Sequence, residues 1–575
     1  MGKVTKYWRG LEELANSPEF VKHQQNEFPE EVPVEQFLGK NSLENTSTSR
    51  RDFLKFLGFS VTAASLAACE TPVNKAIPYT IKPEEITPGV ANWYASTYFD
   101  GQDYAAILVK TREGRPIKIE GNEMSSVTMG ATNARVQASV LSLYDSSRLT
   151  GPLTKGSPST WSSVDKDIVQ KLNTIASTGG NIRILSSTII SPSTKQAIAD
   201  FTAKYPTTKH VMYDAVSCSA IIKANTHSFE RPAVPSYFFD KANVIVSIAS
   251  DFLGNWLSPI EHAKQYAKGR KLSKEKTEMS KHIQFEANLS LTGANADERY
   301  PVKPSQLGAV ATSLYNAVAA MAGVPALESS KLPIDESIKK IAKQLWANKK
   351  KSLVVCGIND VAIQMVVNGL NTMLDSYENT VDLRTPMLVR QGDDEAFVEL
   401  VNEMQNGKVA ALITYNTNPA YTAPGSVHFN EAYKKIGLRI SLADRADETA
   451  EMADYICPDH HYLESWNDAN PKVGQYSLAQ PTIAPIFSKA TNHEGTRAAQ
   501  ESILRWAGIT TDYHSYIQKH WETNLFPHQT KETNFRTFWN SSLQNGVFEL
   551  SLTPPVETKK DAKAEETKAA HPQDV

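Results

Sequence analysis

Beyond about residue 180 the chain alternates short, nearly all-apolar β-branched runs with longer stretches of helical periodicity, and few architectures accommodate that alternation. The strand-like runs fall at 182–186, 211–213, 244–250, 352–356, 410–415 and 438–442. Helical patterns lie between them, at 193–205, 304–322, 333–348, 359–375 and 394–406. A strand apolar on both faces must be covered on both, and an amphipathic helix between two such strands returns the chain for parallel pairing. The expected class is therefore α/β, with two parallel-sheet blocks at about 180–325 and 350–445. A Lys-, Glu- and Asn-rich stretch around 265–300 reads as a long excursion or lid.

The flanks read differently. Residues 70–102 hold Pro72, Pro78, Pro83 and Pro88 and suggest an extended arm. A hairpin follows, 106–110 turning at Gly114 into 116–120, and gives a small N-terminal β region. From 445 to 500 proline, asparagine and aromatics dominate, and helical patterns return at 495–507 and 512–522. These textures divide the chain into a signal region (1–68), an arm and hairpin domain (69–155), a first α/β domain (156–340) and a second (341–455). A mixed C-terminal region (456–550) and a disordered charged tail (551–575) complete the division.

Arg50 and Arg51 are followed by Phe53, Leu54 and Lys55, then by an uncharged Ala- and Ser-rich run that stops at Cys69. The run is too short and too weakly apolar to span a bilayer; it suits a twin-arginine export signal, which a receptor reads. Leu66, Ala67, Ala68 and Cys69 have the form of a lipobox, so Cys69 is the expected lipidation site and the membrane contact a lipid anchor. The 49 residues ahead of Arg50 are long for such a leader.

Only four cysteines occur, Cys69, Cys218, Cys356 and Cys457, with no C-x-x-C pair. Neighbouring thiolates therefore cannot assemble an iron–sulfur or zinc site, and Cys356 and Cys457 read as small buried strand residues. The net charge of −3, with mixed signs throughout, leaves no basic footprint for nucleic acid.

Several stretches, taken in order, resemble the molybdopterin oxidoreductase (dimethyl-sulfoxide-reductase-like) superfamily: 113–122, 143–153 with Trp161 beyond it, 247–256, 415–421 and 447–459. The long leader, 291–297, 461–468 and 480–485 are similar to one family within it, the B subunits of alternative complex III, a bacterial quinol:cytochrome c oxidoreductase. The resemblance implies a multidomain molybdopterin-oxidoreductase-like fold on the periplasmic face of the inner membrane. It also implies multihaem cytochrome c, ferredoxin-like iron–sulfur and integral-membrane quinol-binding partners. Members of that family continue into a ferredoxin-like domain, and this sequence is expected to be split or truncated before one.

Where cluster-bearing relatives place cysteines, this chain has none at 94–104 or 129–135. The expectation is a non-catalytic subunit without its own redox cofactor, with iron–sulfur clusters and haem c on partner chains or on the missing domain. Asp251, Gly254, Asn418 and Glu448 mark what the resemblance implies is a vestigial cofactor cleft. Ser217 or Ser219 stands roughly where a molybdenum ligand could sit, although a plain loop is the favoured reading. His460 and His461, beside Asp459 and Glu464, read as a hydrogen-bonded corner because adjacent strand residues point to opposite faces. Gly254 and Gly357 follow strands without the full G-x-G-x-x-G spacing. The alternatives are a periplasmic lipoprotein that binds a small ligand and an active molybdenum–bis-pterin oxidoreductase subunit.

Overall fold

The computed structural model describes Thr87 and residues 89–550, apart from Glu275. Arg50, Arg51, Cys69 and the charged tail lie outside the described residues.

Two parallel sheets dominate. The larger has seven strands and a parallel core ordered 455–456, 438–441, 409–415, 181–186 and 208–212. Short antiparallel strands Leu153–Thr154 and Ser157–Pro158 extend its edge. Ile184, Ile413 and Ile440 lie side by side in register across three strands and are fully buried against helices Trp161–Ser177 and Ala499–Trp506. The opposite face, with Leu185 and Leu412, packs on helix Asp394–Gln405 and the short helix Phe429–Tyr433.

The second sheet has four parallel strands, ordered 298–301, 281–286, 244–248 and 352–356. Ile283, Val246 and Val354 form its central row, covered by helices Leu307–Ala322, Asp335–Ala347 and Val361–Met373. On the other face Ile245, Leu353 and Val355 meet Tyr237, Val381 and Met387 of a five-stranded antiparallel sheet. That sheet gathers Val547–Glu549, Gln475–Ala479, Asn467–Lys472, Val381–Met387 and Val234–Tyr237.

The α/β class and the paired parallel sheets agree with the sequence reading, but their membership does not follow consecutive blocks. The chain lays down 181–186 and 208–212, builds the whole four-stranded sheet, and only then returns at 409 to complete the first. A boundary near 340 would separate strand 352–356 from its neighbour 244–248. Local pattern specifies strands and helices; which strands become neighbours is decided by long-range pairing that leaves no local trace.

Two further expectations fail. The 265–300 stretch is no excursion: Lys281–Glu286 and Glu298–Pro301 are strands of the four-stranded sheet. Its polar residues hide the strand because they satisfy one another, the His282 ring pairing with Gln284 Oε1 (3.3 Å) and Gln284 Nε2 donating to Glu286 Oε2 (3.2 Å). Nor is 70–102 irregular to its end, since Ala91–Phe99 pairs antiparallel with Tyr104–Arg112 and turns the hairpin into a three-stranded meander with Arg115–Gly121. Among the described residues no helix is long and apolar enough to cross a membrane.

Candidate functional site

In a parallel sheet that starts in its middle and builds outward to both sides, a crevice opens where the strand order reverses, outside the carboxyl ends of the strands. In the seven-stranded sheet this place lies between 181–186 and 409–415, and a cavity of about 500 Å³ opens there. Its walls are the segments that leave the strands: Ser187–Ser191, Asn416–Asn418, Leu442–Arg445 and Asp459–Tyr462, with Tyr98–Asp100 of the meander closing one side.

Two helix N-termini face this space, and each already holds a carboxylate. Ser191 caps helix Pro192–Lys204, with proline preset at the first turn. Asp468 sits on that turn, accepting from Ser191 Oγ (2.5 Å), Ser193 Oγ (2.6 Å) and Ser193 N (3.3 Å), and also from Trp521 Nε1 (2.9 Å). Asp459 takes the second helix, Ala499–Trp506, through the Ala499 N–H (2.8 Å), and accepts from His460 N as well (2.8 Å). Burial pushes the Asp459 carboxyl up to about 7. Both helix N-termini are thus engaged by the protein's own carboxyl groups.

The two histidines stand in a loop beyond strand Tyr455–Ile456, not in a strand, and both rings line the cavity. Each is tied down, His460 Nδ1 to Thr496 Oγ1 (2.6 Å) and His461 Nε2 to Ser142 Oγ (2.8 Å). The Leu463 N–H donates to His461 Nδ1 (3.3 Å), so its ring proton sits on Nε2. Burial lowers both to about 4, and they are neutral at physiological pH. Behind them Arg148 and Glu464, both fully buried, form an ion pair at 2.5 Å. Glu464 also accepts from the backbone of His461 (3.0 Å) and Ile486 (2.9 Å), which pins the loop. Burial raises the Glu464 carboxyl, but Arg148 and these amides outweigh it and hold the group below its ordinary value.

The residues expected at a vestigial cleft are divided by the fold. Asn418 lines the cavity, donates to Glu448 Oε2 (2.6 Å) and accepts from Thr449 Oγ1 (2.7 Å), so these residues are brought together at its rim. Asp251 and Gly254 belong to the other sheet, beyond strand Val244–Ile248. There Asp251 Oδ1 accepts from Thr292 N (3.0 Å) and Oγ1 (2.7 Å), and a Cβ at Gly254 would lie 2.1 Å from Asp251 Oδ2. Ser217 and Ser219 both donate to Asp394 Oδ2, at 2.8 and 2.9 Å, so they form a closed loop at the start of helix Ser219–Phe229. Cys218, Cys356 and Cys457 are buried free thiols.

Among the described residues Arg445 is the one Lys or Arg on the lining, and Asp444 (3.1 Å) and Asp145 (3.1 Å) engage it. Against it stand Asp100, Asp444, Asp447, Asp459 and Asp468. A pterin dinucleotide would bring a pyrophosphate, which favours free helix N-termini and cations. Here the N-termini are taken and the surplus charge is negative. The residues present do not fit that group.

Asp468, Ser191 and Arg148 are the parts of the site that sequence reasoning missed. Ser191 before Pro192 carried a readable helix-start signal. Asp468 carried none, because it reaches its helix from 277 residues away.

No family model matches the chain. Among curated proteins it is 22% identical over 515 residues to the menaquinone reductase, molybdopterin-binding-like subunit of Nitratidesulfovibrio vulgaris, covering 80% of this chain and 72% of that one. A shorter match, 36% over 86 residues, is to a tetrathionate reductase subunit of Salmonella typhimurium, covering 14% of this chain and 8% of that one. Among solved structures, acetylene hydratase from Pelobacter acetylenicus superposes with a TM-score of 0.58 at 11% identity, covering 80% of this chain and 74% of that one. The chain has the molybdopterin-oxidoreductase fold, and the superfamily-level resemblance read from its sequence agrees with both likenesses.

Proposed function

We propose that this chain is a non-catalytic, cofactor-free structural subunit of a membrane-bound respiratory quinol:cytochrome c oxidoreductase of the alternative complex III kind. Exported by the twin-arginine signal at Arg50 and Arg51 and anchored through Cys69, it sits on the periplasmic face and organises its neighbours. Those are multihaem cytochrome c, iron–sulfur and integral-membrane quinol-binding subunits. The similarity to a menaquinone reductase subunit over most of the chain supports a respiratory role.

One observation carries the cofactor-free part: Asp468 and Asp459 occupy the two helix N-termini at the crevice, where an anionic cofactor would need them free. The scaffold then contributes surface and rigidity, while electrons travel on its partners. Metal analysis of the complex, with pterin fluorescence after oxidation, tests this. The expected result is no molybdenum and no pterin assigned to this chain; stoichiometric molybdenum on it would end the proposal in favour of an active molybdenum subunit.

A further inference from the structure

Four arginines among the described residues are buried: Arg148, Arg183, Arg390 and Arg497. A guanidinium does not shed its proton inside a protein, so burying one demands an anion or a full set of acceptors. Three obey this rule, with Arg148 on Glu464, Arg183 on Glu403 and Arg497 on Asp165. Arg390 is the most enclosed of the four, at 2% exposure, and has no carboxylate partner among the described residues.

Its place in the fold is fixed from both sides. Arg390 lies just beyond strand Val381–Met387, and its flanking backbone is held where Gln391 N donates to Thr188 Oγ1 (2.7 Å) and Gly392 N to Asp214 Oδ2 (3.0 Å). Nη1 donates to the Gly101 carbonyl. Nε and Nη2 have no hydrogen-bond partner among the described residues. These two atoms form one edge of the guanidinium, with parallel N–H bonds spaced to meet the two oxygens of a carboxylate. The molecule uses that same edge elsewhere: Arg183 Nε and Nη2 meet the two Glu403 oxygens at 2.8 and 3.1 Å, and Arg439 meets Asp454 at 3.2 and 3.0 Å. Arg390 presents the edge without the acid.

We infer that Arg390 is the receptor of a small two-oxygen anion, of the formate or acetate class, bound side-on by Nε and Nη2 while Nη1 stays on the Gly101 carbonyl. At 2% exposure a guanidinium is reached by a ligand of a few atoms and not by a headgroup or a peptide side chain. The Cys218 thiol lies within electrostatic reach of the same guanidinium and serves as a reporter. The inference does not depend on the proposed respiratory role, and its test needs no partner chain.

Alkylation of a buried thiol proceeds through local opening, and a ligand of the closed form suppresses it in proportion to occupancy. The full-length chain is treated with iodoacetamide in chloride, sulfate, formate or acetate at equal ionic strength, and labelling of Cys218, Cys356 and Cys457 is followed peptide by peptide. Formate and acetate are expected to slow Cys218 labelling saturably, about ten-fold at ten times the dissociation constant, with Cys356 and Cys457 much less affected. In Arg390→Lys, which keeps the charge and loses the fork, that protection disappears. Equal Cys218 rates in all four salts would overturn the inference and assign the edge to water, as would saturable protection that survives Arg390→Lys. Should the variant fail to fold, the salt series on the natural chain decides alone.

Discussion

The seven-stranded and four-stranded sheets share a plan. In the parallel core of each the first strand lies inside, the next adds to one side, and a long detour brings the chain back to the other. In each the residue that leaves the central strand pair is left-handed, Asn416 after 409–415 and Ala249 after 244–248. The crevices nevertheless end differently. At 181–186 and 409–415 the departing loops splay around a cavity of about 500 Å³. At 244–248 and 352–356 they touch, with Gly357 so close that a Cβ there would lie 2.2 Å from the Ala249 carbonyl oxygen. One fold thus contains an open and a closed version of the same junction, and what separates them is how the loops are held. The open one is propped by a buried ion pair and by carboxylates on helix ends, the closed one by direct backbone contact.

That contrast can be broken most forcefully at the prop. Arg148→Ala leaves Glu464 buried and unpaired, and should cost about 3–5 kcal/mol in urea unfolding. Because Glu464 pins the loop carrying His460 and His461, protease cutting should concentrate there. A double variant, Arg148→Met with Glu464→Leu, should recover much of the loss; if Arg148→Ala alone proves neutral, the prop is not what keeps the crevice in shape.

The closed junction should be less costly to disturb. Gly357→Ala should destabilise by about 1–3 kcal/mol through forced backbone movement, and should leave loop 459–464 as protease-resistant as before. Equal loosening of both junctions would mean that they are not independent.

The gentlest probe is pH. His461 is held neutral, at about 4 in the fold against an ordinary value near 6.5, so the unfolded chain takes up the proton first. Its contribution is present above about pH 6.5 and is lost as pH falls towards about 4. The slope of stability between pH 7 and 5 should flatten by about 1–2 kcal/mol in His461→Gln. An unchanged slope would show that the ring is already charged. His460 is lowered in the same direction, whereas Asp459, raised to about 7, works against both by losing stability as pH rises.

The regular elements were legible where a single local rule decided them. Strand Ser352–Cys356 agrees to the residue with its β-branched run, and helix Asp394–Gln405 begins where Asp393 can cap it. Strand Lys281–Glu286 was illegible because His282, Gln284 and Glu286 are buried polar residues, and a pattern of hydrophobicity cannot see a polar ladder that satisfies itself. Of the site, Asn418 was readable from its motif and the histidine corner from its composition. Asp468 was not, since only tertiary structure carries it to the first turn of helix Pro192–Lys204. The same reason hid the pairing of 181–186 with 409–415.

The five-stranded sheet has one more implication. Its outer members are Val234–Tyr237 and Val547–Glu549, about three hundred residues apart along the chain, and the strands between them come from three further segments. No N-terminal portion emerging from a ribosome can complete this seam, so its edge beside Gln475–Ala479 stays open until translation has passed residue 549. Closure of the seam is thus its last step, and a chain interrupted even slightly short of that point would present a raw sheet edge at Gln475–Ala479.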